Sequence, residues 1–334
     1  MRGEEVTPGI LEIPVPKGAR QASDDWKRHG GALSDMSMDA VIKLVLVIGI
    51  VLIVFAIGVR ARIENPLLLV RRPALALRAM VAMFVLVPLF ALMVTRLLPL
   101  QQGVGAALLG VAVSPMLPPW AKMGSKVGAK GDYVFGLQVI ATAFSIFVVP
   151  VMLWLVELVF HVQATFNPFA FSMILLITVG LPLALGLATG RYRPGSAPRL
   201  ADLAERGGNV LLVLGAIGLL VTSGSVIPAV IGQGTLLAIL AITGFGLLVG
   251  HLLGGPDPGN RGALATAAAS RHPGIALLLA SEVFPDSQRA ILGTVLLYLI
   301  ASIAITIPYQ RWRVKALALA DVAAVDPRRR HGGP

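Results

Sequence analysis

Two proline-containing segments hold the residue types that could do chemistry in an otherwise apolar chain. Each combines helix-breaking prolines with a cation: Pro118, Pro119, Trp120 and Lys122 in the first, and Arg271, His272 and Pro273 in the second. The N-termini of half-helices, which we expect at such breaks, and fixed positive charges both favour an anionic group at the same place. His272 adds a side chain whose ordinary pKa lies near neutrality. We therefore interpret the two segments as halves of one small-molecule site.

Arg271 is the most informative single residue because of its depth in a hydrophobic run. If a helix starts near Asn260, about eleven residues at a rise of 1.5 Å place Arg271 roughly 16 Å deep, close to the bilayer centre. A cation there costs at least ~2.5–3.5 kcal/mol on the insertion scale. We expect Arg271 to face a partner or a water-filled cavity, since neither surface is within reach of its side chain.

Two further polar residues are candidates for the same site. Lys122 would lie near the inner surface on an uninterrupted helix, where its long side chain could reach the interface. The prolines before Lys122 interrupt the helix, so the chain advances less across the membrane and Lys122 stays deeper in the bilayer. We therefore assign it to the site. Gln138 either lines the site or makes a hydrogen bond between helices.

Composition limits the class of protein. Of 334 residues, 56% are hydrophobic and 13% are charged, and the mean hydropathy is +0.82. The formal charge is +11, but the cations lie between apolar runs, which favours membrane topology over binding of nucleic acid. The chain has no cysteine, no Walker sequence, no His-Glu-x-x-His and no paired carboxylates inside its apolar runs. We expect an all-α membrane protein with no catalytic residues, no cofactor and no metal.

Nine apolar runs are long enough to span a bilayer, which requires about 20 residues. They are residues 40–60, 75–97, 103–125, 132–160, 169–190, 203–223, 233–254, 260–283 and 288–309. Residues 1–38 form a polar tail, and residues 313–334 form a basic one. The sequence therefore predicts nine transmembrane helices between two solvated tails.

Arginine and lysine predict the orientation of these helices. Alternate connections are basic, namely residues 60–78, residues 191–206 and the flank after residue 310, whereas residues 161–168 and 224–232 contain neither cation. Basic loops remain on the cytoplasmic side. The N-terminal tail is therefore predicted to be extracytoplasmic and the C-terminal tail cytoplasmic, in a multi-pass protein of the plasma or cell inner membrane.

The chain also indicates an internal repeat. Residues 39–160 and residues 161–312 each contain a proline-interrupted apolar segment followed by a helix with an aliphatic-proline pair, and the two segments begin on opposite sides. We interpret them as inverted repeats of four helices (with the first of five missing) and five helices. Paired interrupted helices at corresponding positions mark the binding site of many secondary transporters.

In several short segments the chain resembles the bile acid:sodium symporter family. The resemblance rests on Ala56-Ile57-Gly58-Val59-Arg60, Arg71-Arg72-Pro73, Val87-Pro88, Ser114-Pro115, Ala129-Lys130-Gly131-Asp132 and Pro273-Gly274-Ile275-Ala276. It implies two inverted five-helix repeats, a panel domain, and a core domain in which two broken helices cross. Nine helices fit the variant of the family that lacks the first helix.

The chain departs from this family where the resemblance would place sodium ligands. The family's glutamate falls on Ala267 and its glutamine on Arg271, while other oxygen-bearing positions fall near Met83, Gly136 and Ile140. A hard cation needs several oxygen ligands. We therefore expect transport without sodium coupling.

Together these observations predict a secondary transporter of a small organic solute, an organic anion, that works by alternating access. Its energy would come from the substrate gradient or from protons, with His272 or Lys122 as the titrating group. An efflux carrier of the auxin-carrier or arsenite type is an alternative within this class. A membrane sensor or scaffold without transport is the alternative from another class.

The orientation can be tested with a fluorescent reporter that matures only in the cytoplasm, fused after Pro334. We expect fluorescence, because the basic connections and the C-terminal flank share one side of the membrane. A dark fusion of verified expression would reverse the predicted orientation.

Overall fold

The computed structural model describes residues 38–61, 64–116, 120–160, 168–223, 227–232, 234–273 and 287–325. The chain divides into two units, Met1–Leu44 and Val45–Pro334. The described part of the first unit, residues 38–44, is helical. All the features below belong to the second unit, except that the first helix begins at Met38.

Twelve helices account for nearly all described residues. In chain order they are α1 (Met38–Arg60), α2 (Glu64–Arg71), α3 (Pro73–Leu97), α4 (Gln102–Val113), α5 (Trp120–Lys126), α6 (Gly131–Phe160), α7 (from Pro168 to Tyr192), α8 (Ala197–Ser223), α9 (Ile227–Ile231), α10 (Thr235–Leu253), α11 (Pro258–Ala269) and α12 (Gln288–Val325). Within these ranges there is no strand, and one isolated backbone bridge joins two connections. The predicted all-α class is confirmed.

Seven of the helices are long and apolar enough to cross a membrane, among the residues that the structure describes. They are α1, α3, α6, α7, α8, α10 and α12. Each coincides with one of the nine predicted spans. The remaining two predicted spans are interrupted. Residues 103–125 are divided into α4 and α5, and in residues 260–283 the helix α11 ends at Ala269 and is followed by the non-helical residues 270–273. The count of nine and the inverted repeat remain predictions.

The last helix is longer than the sequence predicted. α12 continues to Val325 rather than ending near residue 309, so it includes the first part of the predicted basic tail. Pro308 lies inside it and removes only one backbone donor. The residues that follow include several alanines and leucines, which are strong helix formers and continue the helix.

The buried apolar side chains form two main clusters. The larger is contributed mostly by α3, α4, α6, α10, α11 and α12. The smaller contains Ile53, Val54 and Ile57 of α1 together with Val139 of α6 and Leu183 of α7. The broken helices therefore belong to the larger cluster, and α6 contributes to both.

Glycines let neighbouring helices approach to backbone contact. A Cβ added at Gly250 of α10 would lie 2.5 Å from the Cα atom of Ala265 in α11, and one at Gly246 would lie 2.8 Å from the carbonyl oxygen of Ala268. Gly186 of α7 meets the backbone of α1 at Phe55 in the same way. Such close contact suits helices that associate in lipid through packing alone.

Gly250 and Gly244 form a matched pair for testing this packing. Replacing Gly250 with alanine should destabilise the protein by about 1–3 kcal/mol through overpacking, because backbone cannot move aside as a side chain can. A Cβ at Gly244, in the same helix, meets nothing within 4 Å. Gly244→Ala should leave the melting temperature of the purified protein unchanged or slightly higher. Equal melting temperatures for the two variants would contradict the account.

Candidate functional site

The candidate site is the place where the extended segments that follow α4 and α11 meet, which we call the crossing. After α4, residues 114–116 are extended, and after α11, residues 270–272 are extended. Met116 and Arg271 pair as an antiparallel bridge, and the N–H of His272 donates to the carbonyl oxygen of Pro115 at 2.8 Å. Unwound backbone inside a membrane is tolerated only where its polar groups find partners. Each segment supplies partners for the other.

The residues around each break explain why the helices end there. Pro115 has no N–H and holds Ser114 in an extended conformation, with ψ at 152°. The hydroxyl of Ser114 donates to the carbonyl oxygen of Gly110 at 2.6 Å, and its N–H donates to that of Val111 at 3.1 Å. These bonds satisfy carbonyls that the last turn of α4 would otherwise leave unpaired.

Arg271 lies at the crossing with only 1% of its surface exposed. Its Nε donates to the carbonyl oxygen of Ala268 at 3.0 Å and its Nη1 to that of Ser114 at 3.0 Å. Its Nη2 donates to the carbonyl oxygen of Met83 in α3 at 2.5 Å. The guanidinium thus joins α3, α4 and α11 through backbone oxygens alone. The ring of Phe84 lies 5.9 Å from its central carbon.

The direction of the two helices favours a cation at this place. Both α4 and α11 present their C-terminal ends to the crossing, where unpaired carbonyls leave a partial negative charge. Arg271 follows the end of α11 by two residues and bonds to the end of α4. Among the described residues no carboxylate pairs with Arg271, and the oriented peptide dipoles stabilise its buried charge.

The carbonyl of Met83, the third acceptor of Arg271, is available because of the local structure of α3. Residues 82–86 form a π turn, in which the N–H of Val87 donates to the carbonyl oxygen of Ala82. The usual helical donor for Met83 is therefore already used, and the next residue is Pro88, which has no N–H. The carbonyl of Met83 has no donor within its own helix, and Arg271 supplies one.

Tyr298 of α12 adds a fourth element to the crossing. Its buried hydroxyl donates to the carbonyl oxygen of Ala269 at 2.7 Å and accepts from the N–H of Arg271 at 3.4 Å. Tyr298, Ser114 and the carbonyl of Met83 were not among the predicted site residues. A tyrosine inside an apolar span, and a proline in the middle of α3, are the signals that could have identified this pairing.

The predicted site residues are distributed as follows. Arg271 and His272 lie at the crossing, both buried, and Pro273 follows them at intermediate exposure. The side chain of Trp120 is fully buried, and its indole Nε1 lies 3.2 Å from the carbonyl oxygen of Ala263 and 3.1 Å from the hydroxyl oxygen of Thr266, so it ties α5 to α11. Lys122 belongs to α5, and Gln138 is buried in α6, which packs against α4. Pro118 and Pro119 lie outside the described residues.

A second polar feature lies at the end of α1. Nη2 of Arg60 is 2.6 Å from Oδ1 of Asp202 and 2.5 Å from Oε2 of Glu205, both in α8. Beside this ion pair is a cavity of about 700 Å³. It is lined by Val59, Arg60, Ala61, Phe135, Leu187, Gly190, Arg191, Pro194, Ala197, Pro198 and Asp202. The cavity combines an apolar wall with two arginines and one carboxylate.

No group of three or more histidines or acidic residues could hold a metal ion in the part of the chain that the structure describes. Among the described residues, the oxygen atoms that accept from the guanidinium at the crossing are backbone carbonyls, and the hydroxyl of Tyr298 lies beside them. What the arrangement offers chemically is a fixed positive charge between two helix ends rather than a set of ligands for a metal.

A helical protein with seven helices that are long and apolar enough to cross a membrane is a multi-pass membrane protein. The sequence pattern of the sodium bile acid symporter family matches residues 47–242, more than half of the chain. The protein belongs to this family, whose members are membrane solute transporters and not enzymes. The resemblance noted from the sequence is confirmed. A search of curated proteins found no match.

Pro88 and Pro182 provide a test of how the site is built. Both prolines follow a π turn, since residues 176–180 of α7 repeat the arrangement of α3, but only Pro88 lies beside an acceptor of Arg271. Replacing Pro88 with alanine restores an N–H that competes for the carbonyl of Met83. We expect Pro88→Ala to melt at a lower temperature than Pro182→Ala, by an amount equivalent to about 1.5–3 kcal/mol, the value of one hydrogen bond to a charged group. Equal melting temperatures would show that Arg271 does not depend on this carbonyl.

Proposed function

We propose that the protein is a secondary active transporter of a small organic anion, that it works by alternating access, and that it does not use sodium. The observation that carries the proposal is the position of Arg271, whose guanidinium donates to carbonyls from three helices at the crossing. Membership of a transporter family supports transport itself. The charge at the crossing supports the choice of substrate and the absence of sodium coupling.

Packing supports movement of two bodies against each other. In this proposal the core is formed by α3–α6 and α10–α12, which carry the crossing, and the panel by α1, α7 and α8. Glycines join α1 to α7 and α8 at backbone distance, and the ion pairs of Arg60 add a polar link from α1 to α8. The panel is thus held together by several interhelical contacts, as rigid-body alternation requires.

The case against sodium is electrostatic. A sodium ion needs several oxygen ligands, and the carbonyls of Met83, Ser114 and Ala268 already accept from Arg271. An ion beside the guanidinium would meet like-charge repulsion that is poorly screened in a buried site. Arginine cannot relieve this repulsion by losing its proton. Arg271 therefore supplies permanently the charge that a bound cation would supply on each cycle.

The substrate class follows from the remaining cations. Because Arg271 is buried and donates to backbone oxygens, its role is to hold the crossing together and to set the local potential. Direct contact with the anionic group is assigned to Lys122 and His272, with Trp120, Pro118, Pro119, Pro273 and Gln138 around them. The cavity beside Arg60 and Arg191 suits the entry of an amphipathic anion, since apolar wall and cations occur together.

Coupling is assigned to the substrate gradient or to protons, with His272 or Lys122 as the titrating group. An auxin-carrier-like or arsenite-type efflux carrier would share the fold and differ in direction. A sensor or scaffold would bind the same anion without moving it.

Uptake into proteoliposomes tests the proposal. Organic anions that raise the melting temperature of the purified protein are the substrates to use, because a ligand that binds only the native state stabilises it. Uptake of such an anion is compared under an inward sodium gradient, an inward pH gradient or neither, with the membrane potential clamped. We expect uptake that the sodium gradient does not change.

Saturable stimulation by inward sodium at clamped potential would overturn sodium independence and leave transport standing. Binding without flux under all three conditions would overturn transport and favour the sensor or scaffold. Arg311 is an exposed cation of α12 outside the proposed site, so Arg311→Gln should leave uptake unchanged.

A further inference from the structure

One face of α12 carries a polar residue on each successive turn, and the row begins inside an apolar stretch with a mean hydropathy of 2.4. These residues are Tyr298, Ser302, Thr306, Gln310 and Arg313, spaced by four, four, four and three positions. Four of them are buried, at 2%, 2%, 1% and 8% exposure for Tyr298, Ser302, Thr306 and Arg313. Tyr298, Ser302 and Thr306 lie inside the predicted span 288–309, where a buried polar side chain is costly and indicates function. Gln310 and Arg313 continue the row into the basic flank. We refer to this row of five residues as the α12 seam.

Contacts at both ends place the seam against α10 and α11. Tyr298 bonds to the backbone of Ala269 and Arg271 at the crossing. Three turns further along, the hydroxyl of Tyr309 lies 2.7 Å from Nδ1 of His251 in α10. Nη2 of Arg313 then donates to the carbonyl oxygen of Pro258, at the start of α11, at 2.7 Å. The seam therefore follows α11 from its end at the crossing back to its beginning.

Three consecutive members of the seam carry a buried polar atom without a hydrogen-bond partner in the described chain. They are Oγ1 of Thr306, Nε2 of Gln310 and Nε of Arg313. An unsatisfied buried polar atom costs about 1–3 kcal/mol. Three such atoms on adjacent turns would destabilise the helix pair strongly unless something bonds to them. Ordered water is the usual partner of buried polar groups that lack one in the protein.

We propose that the α12 seam binds a file of water molecules that reaches from Arg313 to Tyr298. Thr306 can donate to and accept from a water, while Gln310 and Arg313 each offer an N–H to a water oxygen. The fifteen residues from Tyr298 to Arg313 correspond to about 22 Å along the helix. The file thus hydrates the crossing from the end of α12 that carries Arg313. The presence of this water does not depend on the proposed function. Its role as a route for protons or solvent during transport does rest on the proposed function.

Radiolytic hydroxyl labelling of the purified protein, read by mass spectrometry, tests the file because the radicals form from water beside the labelled side chain. Tyr298 and Tyr309 are the reporters. Trp120 is the internal control, since it is buried, has a more reactive ring, and has its Nε1 within hydrogen-bonding distance of oxygens in α11. We expect Tyr298 to be labelled several-fold faster than Trp120 in spite of its burial.

Substitutions then locate the water. Thr306→Val removes the hydroxyl in the middle of the seam with little change of shape, and should lower labelling of Tyr298 several-fold. Thr294→Val is the matched control, because Thr294 lies in the same helix and its hydroxyl already donates to the carbonyl oxygen of Ala290 at 2.7 Å. Gln310→Leu, which removes an amide nitrogen without a partner among the described residues, serves as a second seam variant if Thr306→Val does not fold.

Labelling of Tyr298 no faster than that of Trp120 in the wild-type protein would overturn the proposal. Fast labelling that both seam variants leave unchanged would also overturn it, because water would then reach the crossing by another route. Labelling requires no transport, so these outcomes are separate from failure of the proposed transport function.

Discussion

The structure depends on one constraint, which is that backbone polar groups inside a membrane must find partners. Both α4 and α11 end at the crossing, and the extended residues beyond their ends can be accommodated because Met116 pairs with Arg271 and His272 bonds to Pro115. This pairing leaves carbonyl oxygens at the helix ends. The guanidinium of Arg271 donates hydrogen bonds to the carbonyl oxygens of Ser114 and Ala268. One side chain thus satisfies acceptors that the backbone at the crossing leaves unpaired.

Other features of the core follow from the same constraint. The π turn of α3 and the proline after it leave the carbonyl of Met83 without a donor in its own helix. Arg271 donates to this carbonyl and so links α3 to the crossing as well. Gly246 and Gly250 bring α10 against α11, so that the broken helix is supported along its length by backbone contact. A guanidinium suits this role better than an ammonium, because its planar fork of donors can satisfy several fixed acceptors at once.

The sequence predicted the all-α membrane class and nine spans, of which seven are continuous helices among the described residues, because apolar run length is a local property. The role of Arg271 at the site remains a prediction. The sequence did not predict the partners of Arg271, since backbone carbonyls have no residue signature and those of Met83 and Ser114 are distant in the chain. Trp120 was assigned to the lining of the site from its neighbourhood, whereas its indole Nε1 lies within hydrogen-bonding distance of α11. The sequence placed the end of α12 near Pro308, because proline commonly ends a helix, whereas the helix continues to Val325.

The central claim is that Arg271 occupies permanently the position that a bound cation would otherwise take. The most direct measurement is the melting temperature of the purified protein as sodium replaces choline at constant ionic strength, for the wild type and for Arg271→Ala. The account predicts no change for the wild type, and a rise for Arg271→Ala when guanidinium ion is added at low concentration, because the freed carbonyls regain a donor. A saturable rise of the wild-type melting temperature with sodium would contradict it.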